Sequence, residues 1–289
     1  MLALSRRSLA AFAFLIAAGT VAGGPSAARP LDEVMASGIL RVAIYDDNHP
    51  FSEVGTASPR GIDADLARSI AERLKLKLDL RVVDAGENVD GDFRLNLWRG
   101  DLAGTPLADL MLHVPHDRIL ATRNEQIFLT NPYFEQRLAF AYRRGRIEGF
   151  EGVRDLEGHA VAAEGTSASD SLLMNAEGGR FRAAIRHYRS FDEAAKAYLA
   201  GEAPILAGTR ASIEAALVAA GVAGEDNPVV EVPIPGLVRT RWDLGGAVRS
   251  DSRDLAYAVG DALAALAQEG RLKAICATYG VTYTAPQGY

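Results

Sequence analysis

The stretch from residue 39 to residue 83, ILRVAIYDDNHPFSEVGTASPRGIDADLARSIAERLKLKLDLRVV, decides the fold class. Its first seven residues are apolar and rich in β-branched side chains, which predicts a buried strand. A polar loop follows, and then Leu66, Ile70 and Leu74 recur at every fourth position, as on a helix packed against a sheet. The closing segment alternates apolar and polar residues and predicts a second strand. A strand, loop, helix and strand in this order favour parallel pairing and an α/β fold.

The second half of the chain repeats this order of elements. HAVAAEGTSASDSLL (159–173) predicts a strand, a tight turn and a helix, FDEAAKAYLAG (191–201) a helix, and APILAGT (203–209) a strand. Two more apolar runs, near 138–144 and 244–249, predict long strands that link the halves. We therefore predict an α/β fold of two lobes, joined by a double-strand hinge, with a ligand cleft between them.

The N-terminal residues predict export. Arg6 and Arg7 precede an apolar run, residues 9–22, and small residues follow at 26–28, which is the order of a secretory signal peptide. The apolar run is shorter than the roughly 20 residues of a membrane span. We expect cleavage after Ala28 to release a periplasmic protein without stable membrane insertion; an uncleaved membrane anchor is the alternative.

These observations predict a division of the chain into three parts. Residues 1–28 form the signal peptide, residues 29–140 plus 243–289 form a discontinuous first lobe, and residues 141–242 form the second lobe. The length of each lobe suffices for a hydrophobic core of its own.

Composition excludes several classes of function. The formal net charge of −6 argues against nucleic acid as a partner. The single cysteine, Cys276, lies on an apolar helical stripe and indicates a buried core thiol. The sequence contains no nucleophile-elbow, phosphate-loop or dinucleotide-binding motif. We therefore predict a protein that is not an enzyme and holds no cofactor.

Six segments resemble, in order, those of the family 3 extracellular solute-binding proteins. They are GILRVAIYDDNHPFS, RGIDADLARSIAERLKLKLDL, TRNEQIFLTNPY, DLEGHAVAAEGTS, SFDEAAKAYLAGEA and the C-terminal stretch from 245 to 280. The resemblance implies the type II periplasmic binding protein fold, a small-molecule ligand and an ABC permease as partner. One departure concerns the ligand: amino-acid binders of the family carry an Asp near the strand that ends at Thr209, and here Gly208 and Thr209 occupy that neighbourhood. Binding of ordinary α-amino acids is therefore not expected.

The segment DLMLHVPHDRILATRNEQIFLTNPY (109–133) departs from the family by a short insertion. It resembles the MoxJ and XoxJ proteins, binding-protein homologues that accompany PQQ-dependent methanol dehydrogenases. This resemblance implies a quinoprotein methanol dehydrogenase as partner and a role in its maturation, which is the function we favour from the sequence. The alternatives are the receptor of an ABC transporter for a small organic acid or amino-acid-like solute, and a dehydratase-type enzyme in which Glu164 would be the acid or base.

The turn Gly165-Thr166-Ser167 is a candidate anion site. It lies where a predicted strand passes into a predicted helix, and backbone N–H groups at a helix N-terminus attract carboxylates. Ordinary helix capping is the alternative, because Ser167 and Asp170 have capping-box spacing. Thr209, at the end of a later strand, is a further candidate for ligand contact.

Two arginines compete as ligand-carboxylate residues. Arg123 lies ten residues before Tyr133, which matches the spacing of the family's carboxylate-binding arginine. The insertion makes Arg118 a rival. Either guanidinium could pair with a carboxylate through two hydrogen bonds, and a solvated surface position is the alternative for each.

Aromatic residues and histidines complete the predicted site. Tyr45, Phe51 and Tyr133 are candidate aromatic walls of the cleft, with core packing as the alternative. His113 is a candidate ligand contact. His49, His113, His116 and Asp117 are residue types that bind zinc, but spacing alone does not bring them together, and we predict no metal site.

Overall fold

The computed structural model describes residues 29–55, 58–233 and 239–287. The predicted signal peptide lies outside the described residues. The strands are β1 (Ile39–Tyr45), β2 (Lys77–Val83), β3 (Leu110–Pro115), β4 (Ile127–Leu129), β5 (Phe134–Tyr142), β6 (Val161–Glu164), β7 (Ile185–Tyr188), β8 (Ile205–Thr209), β9 (Val229–Val230) and β10 (Arg241–Arg249). The α-helices are α1 (Leu31–Ser37), α2 (Ile62–Arg73), α3 (Val89–Phe93), α4 (Arg118–Arg123), α5 (Ala168–Asn175), α6 (Phe191–Leu199), α7 (Arg210–Ala219), α8 (Arg253–Gln268) and α9 (Arg271–Thr278).

The first sheet is built around β1. Strands β2 and β3 pair with β1 in parallel, one on each side. Helix α2 connects β1 to β2 and buries Leu66 and Ile70 in the core of this sheet. The predicted strand–loop–helix–strand unit and its parallel pairing are therefore confirmed.

The second sheet repeats the arrangement. Strand β6 pairs in parallel with β7 and with β8. The connections carry α5 and α6, so helices cover the sheet. Val161 and Ile205 belong to one buried apolar cluster, and Tyr198 and Leu206 belong to another. We call the part built on β1, β2 and β3 the first lobe, and the part built on β6, β7 and β8 the second lobe.

Strand β5 joins the two sheets. Its first part, Phe134–Arg137, pairs antiparallel with β10, and its second part, Leu138–Tyr142, pairs antiparallel with β8. Strand β10 continues along β3 in the first lobe. This arrangement agrees with a two-lobed α/β fold linked by two strands. The predicted lobe boundaries, 140/141 and 242/243, fall inside β5 and β10, and the division at those residues stays a prediction.

Helix α7 brings the lobes into contact. Ala211 and Ala215 pack into the core of the first lobe, whereas Ile213 and Leu217 pack into that of the second. Because α7 contributes to both cores, it limits the open space between the lobes on its side.

The single cysteine belongs to the core of the first lobe. Cys276 in α9 is buried, as predicted, and burial raises the pKa of its thiol to about 12. The thiol is therefore protonated at neutral pH and is a poor nucleophile. None of the helices in the described ranges has the length and apolar character that crossing a membrane requires.

Candidate functional site

A cavity of about 180 Å³ lies between the lobes. At roughly 30 Å³ per water molecule, this volume corresponds to about six waters or a ligand of similar size. The acidic and hydroxyl-bearing residues that line it are Asp47, Glu164, Asp192, Ser167, Ser169, Ser190, Thr209 and Ser212. The other lining residues are Asn48, His49, His113, Gln136, Leu138, Ala168, Phe191, Gly208 and Trp242. Most of the lining residues thus carry hydrogen-bonding side chains, and this lining set contains neither Lys nor Arg.

A buried carboxylate fixes the histidine of the first-lobe wall. Asp63 is fully buried; its Oδ1 accepts a hydrogen bond from the Tyr133 hydroxyl at 2.6 Å, and its Oδ2 lies 3.0 Å from His113 Nδ1. The His113 backbone N–H donates to the Tyr133 hydroxyl at 3.1 Å, which closes the network. A carboxylate can only accept, so His113 Nδ1 carries a proton and donates it to Asp63.

The surroundings of this network keep its groups in place. Burial, together with the charge of Asp63, holds the pKa of the Tyr133 hydroxyl well above its usual range, so that hydroxyl remains a donor. The Phe51 ring packs edge-on against the His113 ring at 4.5 Å between centroids. His113 has a φ of 62°, a left-handed conformation that costs a residue with a side chain about 1 kcal/mol. Contacts with Asp63, Tyr133 and Phe51 hold the histidine in this conformation.

The N–H groups of Gly165 and Thr166, in the turn between β6 and α5, already have protein acceptors. Gly165 N–H donates to the Tyr188 carbonyl at 2.9 Å, and Thr166 N–H donates to Asp170 Oδ2 at 2.9 Å. Ser167 Oγ accepts from Asp170 N–H at 3.1 Å and so caps α5. The capping alternative therefore describes this turn, and the Asp170 carboxylate occupies the position in which an anionic ligand was expected.

The second-lobe wall carries an acidic residue in an unfavourable environment. Glu164 is the last residue of β6 and is half-buried. Burial raises the pKa of its carboxyl group, and the nearby charges of Asp47 and Asp192 raise it further. The described residues provide its carboxylate with no side-chain hydrogen bond or ion pair that would offset this repulsion.

Gln136 presents an unused acceptor on the linking strand β5. The residue is 4 % exposed and lines the cavity, and its Oε1 atom has no hydrogen-bond partner among the described residues. Most buried polar atoms in proteins have such a partner. The amide oxygen of this lining residue therefore still lacks a donor.

Three of the predicted ligand contacts line the cavity: His113, Ser167 and Thr209. Thr209 also caps α7, since its Oγ1 accepts from Ser212 N–H at 3.2 Å. Phe51 and Tyr133 are buried behind His113 and contact it, so they support the wall without lining it.

The other predicted contacts lie elsewhere. The Tyr45 hydroxyl donates to Asp92 Oδ2 at 2.7 Å within the first-lobe core, which agrees with the packing alternative. Arg123, at the end of α4, pairs with Asp90 at 2.8 Å on the surface. Arg118 lines a separate groove together with Phe128. Gly165 and Thr166 lie in the turn before α5, where their N–H groups have protein acceptors, and they do not line the cavity.

Most of the lining residues were not among the predicted contacts; Asp47, Gln136, Asp192 and Trp242 are examples. The sequence carries a weak signal for one of them. Gln136 is a polar residue in the predominantly apolar linking segment FEQRLAFAY, at a point where a strand crosses from one lobe to the other. Asp192 follows the α6 cap Ser190, and a residue in the first turn of a helix is ordinarily explained by the helix dipole alone.

Metal ligands do not converge in the described ranges: no group of three His, Cys, Asp or Glu side chains there could hold an ion. His116 and Asp117 lie near α4, where Asp117 caps the helix and pairs with Arg239 at 2.7 Å. The arrangement at the cavity is suited instead to binding a small molecule rich in hydrogen-bond donors.

Comparison with known proteins adds information about the fold. No protein-family model and no curated protein matches the sequence. Among solved structures, an ancestral cationic amino acid solute-binding protein has a TM-score of 0.67 and 22 % identity, over 86 % of this chain and 98 % of that chain. The fold is that of a two-lobed periplasmic binding protein.

Two further solved structures agree. An amino acid ABC transporter substrate-binding protein from Streptococcus pneumoniae bound to L-arginine has a TM-score of 0.60 and 19 % identity, over 88 % of this chain and 98 % of that chain. A second structure of the ancestral protein named above, described there as an amino-acid-binding protein and a precursor of cyclohexadienyl dehydratase, has a TM-score of 0.59 and 20 % identity, over 86 % of this chain and 98 % of that chain. These similarities confirm the predicted fold class; the resemblance to MoxJ and XoxJ does not appear in them.

Proposed function

We propose that this protein is the solute-binding receptor of an ABC transporter and that its ligand occupies the cavity between the lobes. The cavity is the observation that carries the proposal: both lobes and the linking strand β5 contribute to its walls, and ligand sites of proteins are commonly enclosed between domains. Two lining residues add support: the side-chain oxygen of Gln136 has no hydrogen-bond partner among the described residues, and the His113 ring is held by Asp63. The receptor would act in the periplasm and deliver its solute to an ABC permease.

The sequence analysis favoured a different role, as an accessory to a quinoprotein methanol dehydrogenase. The similar structures support the receptor better, since those described above are solute-binding proteins. The segment 109–133, which suggested the dehydrogenase partner, forms β3, α4 and β4. Its one contribution to the cavity is His113, a residue that serves ligand binding in the receptor equally well.

We propose binding rather than catalysis for the same cavity. The dehydratase alternative draws on Glu164, and one similar structure is described as a dehydratase precursor. That structure is itself described as an amino-acid-binding protein. In the receptor, the Glu164 carboxylate would bind the ligand and would not transfer a proton to it.

A thermal-shift screen tests the receptor function. Cationic, neutral and anionic solutes of about six to twelve heavy atoms are added to the purified protein, and a ligand at a hundred times its Kd should stabilise it by about 2.7 kcal/mol. Ala168→Trp should abolish the shift, because Ala168 is exposed at the start of α5 and lines the cavity. Ala219→Trp, at an exposed position of α7, is the matched control. Absence of a shift with every solute, or a shift that survives Ala168→Trp, would overturn the proposal.

A further inference from the structure

We propose that the ligand of this cavity is a small organic cation without a carboxylate group, such as an alkylamine or an alkylguanidinium. The inference rests on the proposed receptor function and names the class of its solute. It follows from the charges on the walls, from the positions of the arginines and from one buried amide.

Three carboxylates approach the cavity from both lobes. Asp47 comes from the loop after β1, Glu164 from the end of β6 and Asp192 from the first turn of α6. Because the lining set contains no Lys or Arg, their charges are not balanced within the walls. Asp47 and Asp192 are exposed residues, whereas Glu164 is half-buried, and a carboxylate withdrawn in part from water is costly unless a positive charge approaches it. A cationic ligand would provide that charge.

The groups that would bind a ligand carboxylate are engaged elsewhere. The guanidinium of Arg123 pairs with Asp90 outside the cavity. The N–H of Thr166, in the turn before α5, donates to the carboxylate of Asp170. A carboxylate placed in the cavity would therefore lack a charged partner and would face Glu164. Every α-amino acid carries a carboxylate, so the proposed ligand class does not include α-amino acids.

Gln136 supplies independent evidence for a donor-rich ligand. The residue lines the cavity, and its buried Oε1 has no partner among the described residues. Leaving a buried acceptor unsatisfied costs about 1–3 kcal/mol. An ammonium or guanidinium N–H would satisfy this oxygen, and an anion or a hydrocarbon would not.

The cation is organic rather than metallic. No group of three ligating side chains in the described ranges is arranged to hold an ion. The space of about 180 Å³ exceeds what a bare ion fills. Phe191 and Trp242 present aromatic rings among the lining residues, and such rings attract ammonium and guanidinium groups through cation–π interactions.

Binding of a cation has a consequence for protons. Burial, Asp47 and Asp192 raise the pKa of Glu164, with His49 and His113 as the other titratable residues that line the cavity. A positive ligand favours the ionised carboxylate, so its binding lowers that pKa and releases a proton. The affinity for the cation should therefore rise with pH through the titration of Glu164.

Isothermal titration calorimetry with four probes tests the ligand class. Agmatine and arginine share a guanidinium and differ by a carboxylate; butylamine and butyrate share a propyl chain and differ in charge. We expect agmatine and butylamine to bind, arginine to bind at least tenfold more weakly than agmatine, and butyrate not to bind. At a pH within the titration range of Glu164, the heat of agmatine binding should vary with the ionisation enthalpy of the buffer in the direction of proton release. That measurement uses the unmodified protein and needs no variant.

Two substitutions locate the interaction. Glu164→Gln and Gln136→Leu should each weaken agmatine binding at least tenfold, and Glu164→Gln should also abolish most of the proton release. Glu225→Gln, at an exposed position in a turn of the second lobe, is the control and should leave both unchanged. Circular dichroism of each variant establishes that it is folded.

The outcomes separate the two proposals. If arginine or butyrate binds as tightly as agmatine, or if only neutral or anionic solutes of the thermal-shift screen bind, the cation assignment is wrong and the receptor function stands. If no solute of any charge binds, the receptor function fails and the assignment fails with it. Agmatine binding that Glu164→Gln and Gln136→Leu both leave intact would place the cation outside this cavity and overturn the assignment.

Discussion

The two walls of the cavity each involve a buried or half-buried carboxylate, and the surroundings of the two carboxylates are opposite in kind. In the first lobe, Asp63 is fully buried and both of its oxygens have partners, the Tyr133 hydroxyl and the His113 ring. In the second lobe, Glu164 is half-buried, and the negative charges of Asp47 and Asp192 raise the pKa of its carboxyl group further. A satisfied buried carboxylate holds structure in place, whereas an unsatisfied one destabilises the empty protein and favours a ligand. The side chains of the first wall are therefore held in place by Asp63, whereas Glu164 in the second wall lacks a positively charged partner.

The largest expected effect would come from disrupting the first wall. Asp63→Ala removes the acceptor of the Tyr133 hydroxyl and of His113 Nδ1 while both groups stay buried or partly buried. We expect the free energy of unfolding to fall by about 3 kcal/mol, since removing one member of a buried charged network typically costs that much. Urea denaturation at neutral pH measures it.

Glu225→Ala is the control for this variant, because its side chain is exposed and should contribute within about 0.5 kcal/mol. A loss below about 1 kcal/mol for Asp63→Ala would mean that the first wall is not held by its carboxylate. The contrast between the walls would then disappear.

The turn before α5 gives a smaller effect within the second lobe. Asp170→Ala removes the acceptor of Thr166 N–H and a negative charge at the N-terminus of α5. We expect a loss of about 1 kcal/mol in the free energy of unfolding, which is typical of a lost helix cap. Ser171→Ala, at an exposed position of the same helix, is the control. Equal stability of the two variants would show that the hydrogen bond from Thr166 N–H to Asp170 does not stabilise this turn.

The fold followed from the sequence far better than the cavity did. Leu66 and Ile70 lie on the helix that their spacing predicts, because the period of apolar residues directly reflects which side of a helix is buried. Gln136 and Asp192 could not be found in this way. They line the cavity because β5 crosses between the lobes and α6 begins beside it, and neither relation is visible in local sequence.

The turn Gly165-Thr166-Ser167 illustrates the same limit. Its sequence predicts free N–H groups at a helix start, and the capping-box spacing of Ser167 and Asp170 predicts that they are used. Both patterns are local, and only the position of the Asp170 side chain decides between them. The residues of a cavity are set by tertiary contacts, which sequence periodicity does not report.

Glu164→Gln should change stability in the direction opposite to Asp63→Ala. The pKa of Glu164 is raised in the folded protein, so the folded state binds this proton more tightly than the unfolded state does. Stability contributed by the protonated form is lost as the pH rises through that pKa. The neutral glutamine avoids it. We expect a gain of less than about 1 kcal/mol in the ligand-free protein at neutral pH, because water still reaches the carboxylate.

Thermal melts of the wild type and of Glu164→Gln between about pH 4 and about pH 8 test this expectation. The stability difference should be smallest at the acidic end, where the glutamate is protonated, and should grow toward neutral pH. A variant less stable than the wild type at neutral pH would indicate that the carboxylate has a favourable partner in the empty protein.

The smallest expected effect concerns Arg123, which its spacing from Tyr133 predicted to bind the ligand carboxylate. Its guanidinium is half-exposed and pairs with Asp90 at 2.8 Å, and exposed ion pairs contribute at most about 1 kcal/mol. Arg123→Ala should therefore leave the affinity for agmatine within about twofold of the wild-type value, measured by the same calorimetry. Arg118→Ala, in the separate groove, should behave alike. A loss of tenfold or more in either variant would mean that the arginine reaches the ligand in solution, and that the second wall receives a positive charge from the protein instead of from its solute.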